Sequence, residues 1–403
     1  MIIDINKFIS KYVIKRQQSM FISDIKNNYE MLCEKISDKT ILVIGGAGSI
    51  GSSFIKCILP FKPKALVVVD TNENGLAELS RDLRSTKGMF IPDDYITYPI
   101  DFSSSVFQKM FRKRKGFNIV ANFAAHKHVR SEKDIYSIEA LIRNNVLNVK
   151  KVMELLVEFP PDVYFCVSTD KAANPVNIMG ASKRIMEDMI FSYSNKFQVK
   201  TARFANVAFS NGSLPSGFLE RIKKLQPISA PLDVKRYFVS PEESGQICML
   251  SAMLGENREI FFPKLSETHM ISFDVIATNL LEECGYKVIK CNSELEAIYL
   301  SEELKSGSKN YPVVYTRSDT SGEKMFEEFY TGSEVLDMNR FLSLGVIIDK
   351  KIPDKNELDL LFENINFILK NEYTKKSDIL NVLKSYLLDF QHIETGKTLD
   401  SKM

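Results

Sequence analysis

An apolar run, ILVIG over 41–45, ends in Gly45-Gly46-Ala47-Gly48-Ser49-Ile50-Gly51. The spacing of Gly45, Gly48 and Gly51 permits a tight turn, close approach of a pyrophosphate, and packing of a helix against a sheet. The backbone N–H groups around Ser49 and Ile50, and the positive end of that helix, would then face the phosphates. A purely structural glycine turn would leave the same letters. Asp70 follows Gly51 by nineteen residues, at the end of the next apolar run. A carboxylate there can accept hydrogen bonds from the ribose hydroxyls of an adenosine. Capping a helix over 73–85 is its alternative role, and the two are compatible. Thr71-Asn72-Glu73 come next, with no base among them, so a 2′-phosphate would meet negative charge. NAD is therefore expected in preference to NADP. Asp101 ends a third run and suits either an adenine contact or a strand-end cap. Ala124 and Ala125 end a fourth, where small side chains let a dinucleotide lie against the backbone.

A second group of reactive types runs Ser168-Thr169-Asp170-Lys171-Ala172-Ala173-Asn174-Pro175, then Met179-Gly180-Ala181-Ser182-Lys183. Lys183 falls four residues after Met179, on the same face of a helix. Asp170 and Lys171 put an acid beside a base at a strand end. A pair of this kind serves proton transfer, or is an ordinary strand-end ion pair.

Elements that hold these residues in place are legible from Lys39 onward. Runs at 41–45, 65–70, 95–101, 118–125, 163–169 and 201–207 are short and rich in Val, Ile, Phe and Tyr. Helix-length segments at 73–85, 138–157 and 178–196 alternate with them. The alternation predicts an α/β fold, a doubly wound parallel (Rossmann) sheet with helices on both faces. Ligands bind such sheets at the carboxyl ends of the strands, where both groups lie. Residues 1–38 read as a helical N-terminal extension and 39–210 as the dinucleotide-binding domain, to which later elements can return. Residues 211–350 read as a smaller mixed α/β substrate-binding region, with helices at 242–254 and 272–285 and a strand at 259–263. Residues 290–321 have no clean period. Residues 351–403 read as a helical tail whose last ten residues fray.

Bulk composition excludes several classes. The 53 basic residues nearly balance the 51 acidic ones, so no electrostatic footprint for nucleic acid exists. Cys33, Cys57, Cys166, Cys248, Cys284 and Cys291 include no C-x-x-C pair and read as free thiols, with no metal site expected. No apolar run reaches the roughly 18–20 residues that span a bilayer. A cytoplasmic protein is expected.

The run from Ser168 to Lys183 matches the pattern S-T-D-K-A-x-x-P-x-N-x-Y/M-G-x-x-K throughout. On it the chain resembles the extended short-chain dehydrogenase/reductases, and within them the bacterial UDP-N-acetylhexosamine 4,6-dehydratases of polysaccharide and glycan biosynthesis. Ala124-Ala125-His126-Lys127-His128-Val129, Asn145-Val146, Arg203-Phe204-Ala205-Asn206-Val207, Arg236-Tyr237-Phe238 and Gly322-Glu323-Lys324 with the glutamate pair Glu327-Glu328 resemble further motifs of that family, over roughly residues 39–330. The resemblance implies tightly held NAD and a UDP-linked sugar that loses water across C5 and C6. It implies Lys171 as the C5 base, Asp170 as the acid at C6, Thr169 on the C4 oxygen and Lys183 on the nicotinamide ribose. A lysine base must be neutral when it acts, which Lys127 and the cofactor's positive ring would favour. Lys127, His128, Asn206, Arg236, Arg317 and Glu323 are the implied substrate contacts.

Met179 stands where most of the superfamily has a tyrosine base. Some of the dehydratases share this methionine, and in them the neighbouring aspartate covers the missing base with C5 configuration retained. The late motif lacks its arginine and proline, with Arg317 upstream of Gly322, and Ala205 replaces a glycine. These departures leave GDP open as the carrier beside UDP. A 4-epimerase of nucleotide sugars and a non-enzymatic NAD-binding regulator are the rival readings. In related enzymes the helices corresponding to 138–157 and 178–196 form a four-helix subunit interface, so the resemblance implies a homodimer or larger assembly.

Overall fold

The computed structural model describes residues 3–318, 322, 324 and 326–395. Five-residue, largely apolar strands, β1 (Thr40–Ile44), β2 (Ala65–Val69) and β5 (Val163–Val167), are buried almost throughout. Strands apolar on both faces need cover on both, and helices supply it here. With β3 (Asp94–Tyr98), β4 (Ile119–Asn122) and β6 (Gln198–Ala202) they pair in parallel in the order 3-2-1-4-5-6. The order reverses between β1 and β4. Strands diverge there at their carboxyl ends and open the crevice where such sheets take ligands.

Strands from beyond residue 210 complete this sheet. After β7 (Asn206–Val207), β8 (Ile228–Pro231) and β9 (Lys235–Val239), the chain returns as β10 (Ile260–Pro263), parallel to β6. The far edge of the nine-stranded sheet is antiparallel, formed by β14 (Val335–Asp337) and β15 (Leu344–Ile348). Two small sheets stand apart: β7 and β9 with β11 (Met270–Ser272), and β8 with β12 (Lys287–Cys291) and β13 (Asn310–Thr316). A second apolar core lies beneath them, built on Phe218, Phe238, Ile276, Leu280 and Tyr311. Phe8 and Val13 of the N-terminal segment enter that core, while Leu32 and Ile36 join the main one.

The stretch 290–321, aperiodic in sequence, holds a regular unit: parallel strands β12 and β13 flank the helix Glu294–Lys305. Its period is hidden because the helix buries only Ala297, Ser301 and Leu304, and leaves Leu295 and Tyr299 in solvent. The helix expected over 138–157 is two α-helices, Ile135–Ile142 and Asn148–Glu158, joined by a π-turn at Arg143–Leu147. The tail forms two helices, Lys355–Leu369 and Lys376–Tyr386. Both pack back on the elements expected to meet a second subunit. Lys150 lies 5.4 Å over the Phe362 ring, and the Tyr386 hydroxyl donates to Asp188. Helix Ile178–Phe191 is consequently buried on nearly every side within one chain. Among the described residues no helix is long and apolar enough to cross a membrane.

Candidate active site

The chain leaves β1 through Gly45, whose φ is +76°. A Cβ on Gly45 would lie 2.5 Å from the Ala124 nitrogen, and one on Gly51 would lie 2.4 Å from the Gly45 oxygen. Both glycines are therefore required by backbone packing. Gly48 differs, since a Cβ there would meet only the Gly45 oxygen, at 3.4 Å. The space in front of it belongs to the crevice, at the N-terminus of helix Ser49–Ile58. Asp70 holds the turn to the end of β2: Oδ2 accepts from Ala47 N at 3.0 Å and Oδ1 from Asn72 N at 2.9 Å. The cap of helix Glu73–Ser85 is Asn72, which accepts from Gly75 N, so the capping role considered for Asp70 is taken. Asp101 is exposed and binds its own turn, accepting from Ser103 N at 2.6 Å. Ser49 donates no bond into the crevice, and its oxygen accepts from Asn211 N at 2.9 Å. That bond ties the glycine turn to the loop after β7.

On the other side of the crevice, Asn145 projects from the π-turn. It accepts from His126 N at 2.8 Å and donates to the His126 oxygen and to Ser182 Oγ. Single π-turns of this kind often re-aim residues at functional sites. Here one side chain locks the loop after Ala124-Ala125 to the helix that carries Met179 and Lys183. Lys127 and His128 face solvent from this loop. Desolvation by the surrounding protein pushes both pKa values down, helped at His128 by the positive charge of Lys127 and Arg130.

The acid and base meet at the end of β5. Asp170 is buried, and three donors converge on its Oδ1: Thr169 Oγ1 at 2.9 Å, Lys171 N at 2.9 Å and Lys171 Nζ at 3.0 Å. The Lys171 amine also lies 3.4 Å from Glu327 Oε1, and Arg236 of β9 reaches the same oxygen at 3.9 Å. Burial pulls the Lys171 pKa down, but Asp170 and Glu327 together hold it above its ordinary value. Arg236 opposes the rise, and the charges acting most strongly on the amine are thus Asp170, Glu327 and Arg236. Burial raises Glu327, with Lys171 opposing and Asp170 adding to the rise.

Met179 and Lys183 occupy successive turns of helix Ile178–Phe191, both buried. The Met179 N–H donates to Glu132 Oε1 at 3.0 Å. Lys183 Nζ has only the Met186 sulfur, at 3.2 Å, as acceptor among the described residues. Burial lowers its pKa, against the partial support of Cys166 and Glu187. A buried amine with no oxygen partner among the described residues fits a hydroxyl-bearing ligand, as the space before Gly48 fits a pyrophosphate.

Below the site, Ser168 donates to Glu187, which is paired with the fully buried Arg203 at 2.8 Å. Arg203 also holds Glu334, whose pKa falls to about 2 because its contacts with Arg203 and Lys350 outweigh burial. Asn206 pairs with Phe238 across β7 and β9, and the backbone just before it accepts from Asp170 N. Arg317 is exposed beyond β13, and Glu323 lies outside the described residues.

Two residues absent from the sequence expectations matter here. Glu132 accepts from Met179 N with one oxygen and meets His392 Nε2 with the other, at 3.2 Å. His392 arrives on a tail segment laid across the loop after Lys171: Ile393 N donates to the Val176 oxygen, and Gly322 N donates to the Ile393 oxygen. Nothing local in the sequence marks 390–394 as part of the site. Glu327 was legible only as one letter of a glutamate pair.

A doubly wound sheet with this glycine turn and a lysine-bearing helix beside the strand-end acid defines an extended short-chain dehydrogenase/reductase fold. The chain belongs to the polysaccharide biosynthesis protein family, whose model matches residues 41–341. It is 28% identical over 309 residues to the probable polysaccharide biosynthesis protein EpsC of Bacillus subtilis, covering 75% of this chain and 49% of that protein. The chain thus spans about half the length of that relative. It is 24% identical over 331 residues to a UDP-N-acetylglucosamine 4,6-dehydratase (inverting) of Campylobacter jejuni, covering 78% and 90% of the two chains. Among solved structures, Pen from Bacillus thuringiensis superposes with a TM-score of 0.64 at 22% identity, over 82% of this chain and 98% of that one.

Proposed function

We propose that the protein is a nucleotide-sugar-modifying enzyme, and specifically a 4,6-dehydratase acting on UDP-N-acetylglucosamine. The observation that carries this reading is the Thr169–Asp170–Lys171 cluster around the buried Asp170 carboxylate, set beside a dinucleotide cradle at one sheet edge. The cofactor we assign is NAD, which supplies reversible hydride exchange with the sugar carbons. Gly45, Gly48 and Gly51 admit its pyrophosphate, Asp70 its adenosine ribose, and Lys183 its nicotinamide ribose. An epimerase needs only one proton acceptor at C4, whereas dehydration also needs a base at C5 and an acid at C6.

Protons are the work of the chain. With Met179 in the tyrosine's place, the C4 hydroxyl proton passes to the Asp170 carboxylate. Lys171 removes the C5 proton, and Asp170 returns one to the departing C6 hydroxyl. One carboxyl then serves C4 and C6, and Lys171 returns the proton to the face of C5 it came from, so the C5 configuration is retained. The Campylobacter relative is an inverting enzyme, and NMR of the product distinguishes the two outcomes. Purified protein given UDP-N-acetylglucosamine without added reductant is expected to release a UDP-linked 4-keto-6-deoxy sugar, read by mass spectrometry. Retention of the C6 oxygen in the product, or no turnover with any sugar nucleotide, overturns the proposal.

A further inference from the structure

A C5 base must start without its proton, yet the Lys171 amine sits between two carboxylates that stabilise its ammonium. Those carboxylates are not equivalent. Asp170 Oδ1 receives three donors at 2.9 to 3.0 Å. Glu327 is 5% exposed and, among the described residues, has no hydrogen bond of comparable quality. Its nearest charges are the Lys171 amine at 3.4 Å and the Arg236 guanidinium at 3.9 Å. Lys324, on its own segment, instead reaches Glu328, at 4.0 Å. Among the described residues, Asp170, Lys171, Arg236 and Lys324 are thus the charged groups that act on it.

We infer that Glu327 is the resident proton acceptor for Lys171, a positioning residue that makes the amine basic without loss of a proton to water. The step moves one proton from Lys171 Nζ to Glu327 Oε1, turning an ammonium–carboxylate pair into an amine–carboxylic acid pair. No net charge leaves the cluster, and Arg236 keeps its place 3.9 Å from the Glu327 oxygen. In a buried site the neutral pair avoids the desolvation that an ion pair suffers, so the two forms can lie close in energy. Burial raising the Glu327 pKa acts in the same direction.

The inference rests on the dehydratase reading only for what the amine does next, and its test is independent of turnover. Competitive acetylation of the intact protein with acetic anhydride, read by peptide mass spectrometry, reports the unprotonated fraction of Lys171 against pH. With Glu327 as acceptor, that fraction is nearly constant from about pH 6 to 8, because the pair keeps the same number of protons. In Glu327→Gln the amine must lose its proton to water, so labelling rises about tenfold per pH unit. Glu327→Asp is expected to restore part of the plateau. A parallel loss at all pH values marks a structural role and overturns the inference. Higher labelling in Glu327→Gln at low pH marks a charge clamp, with the same result. A wild-type Lys171 that resists labelling throughout, while the unfolded control reacts, is equally fatal. If labelling follows the expected course but no sugar nucleotide is turned over, the dehydratase reading fails and the proton pair stands.

Discussion

The two walls of the crevice are built on different physics. The dinucleotide wall is made of contiguous chain, Gly45 to Gly51, with Asp70 one strand away, and its constraint is steric. A single Cβ at Gly45 or Gly51 would overlap backbone atoms. The acid–base wall draws on Asp170 and Lys171 after β5, Arg236 on β9, Glu327, Glu132 and His392 in the tail. Its constraint is buried charge, balanced across segments more than 200 residues apart. A steric wall is specified by short-range letters. A balanced one exists only after folding, so its failures should spread along the network.

The sharpest break between the walls comes from the pair at the strand end. Lys171→Ala is expected to slow product formation by about 10³-fold, within the usual span for a lost acid–base group, while calorimetry finds NAD affinity unchanged. Asp170→Asn should also halt the first proton transfer, so cofactor reduction in a single turnover should fail with it. Wild-type reduction by Asp170→Asn would remove its double role. Conversely, Gly51→Ala acts on the other wall. Its Cβ would sit 2.8 Å from Gly46 Cα, so the turn must open. NAD retained through purification should fall by about 100-fold, a loss of roughly 2.7 kcal/mol, with Lys171 labelling undisturbed. Equal damage to both would show that the walls are one unit.

A smaller effect probes how far the second network extends. Glu132→Ala leaves the buried Met179 N–H without its acceptor, at a cost of about 1–3 kcal/mol. His392→Ala leaves that bond in place and removes only the tail's contact. Glu132→Ala should therefore lower kcat about tenfold and His392→Ala about threefold, the double variant resembling Glu132→Ala alone. Additive losses would mean that the tail reaches the site by another route.

The dinucleotide half of the molecule is readable because its signals are local. Alternating apolar runs mark β1 to β6, and the glycine spacing marks the turn. The run from Ser168 to Lys183 marks the edge that matters, though assigning Asp70 to the turn required seeing Asn72 take the helix cap. The unit at 287–316 escaped because its helix is only weakly two-faced.

Chain order alone placed Thr169, Asp170 and Lys171 side by side, and helical periodicity alone placed Lys183 one turn beyond Met179. Tertiary structure decided what state they are in. Glu327 meets Lys171 across 156 residues of chain and His392 meets Glu132 across 260, so no periodicity links them. The charge on a buried amine depends on every carboxylate within a few ångströms, and that neighbourhood comes into being only when the chain has folded.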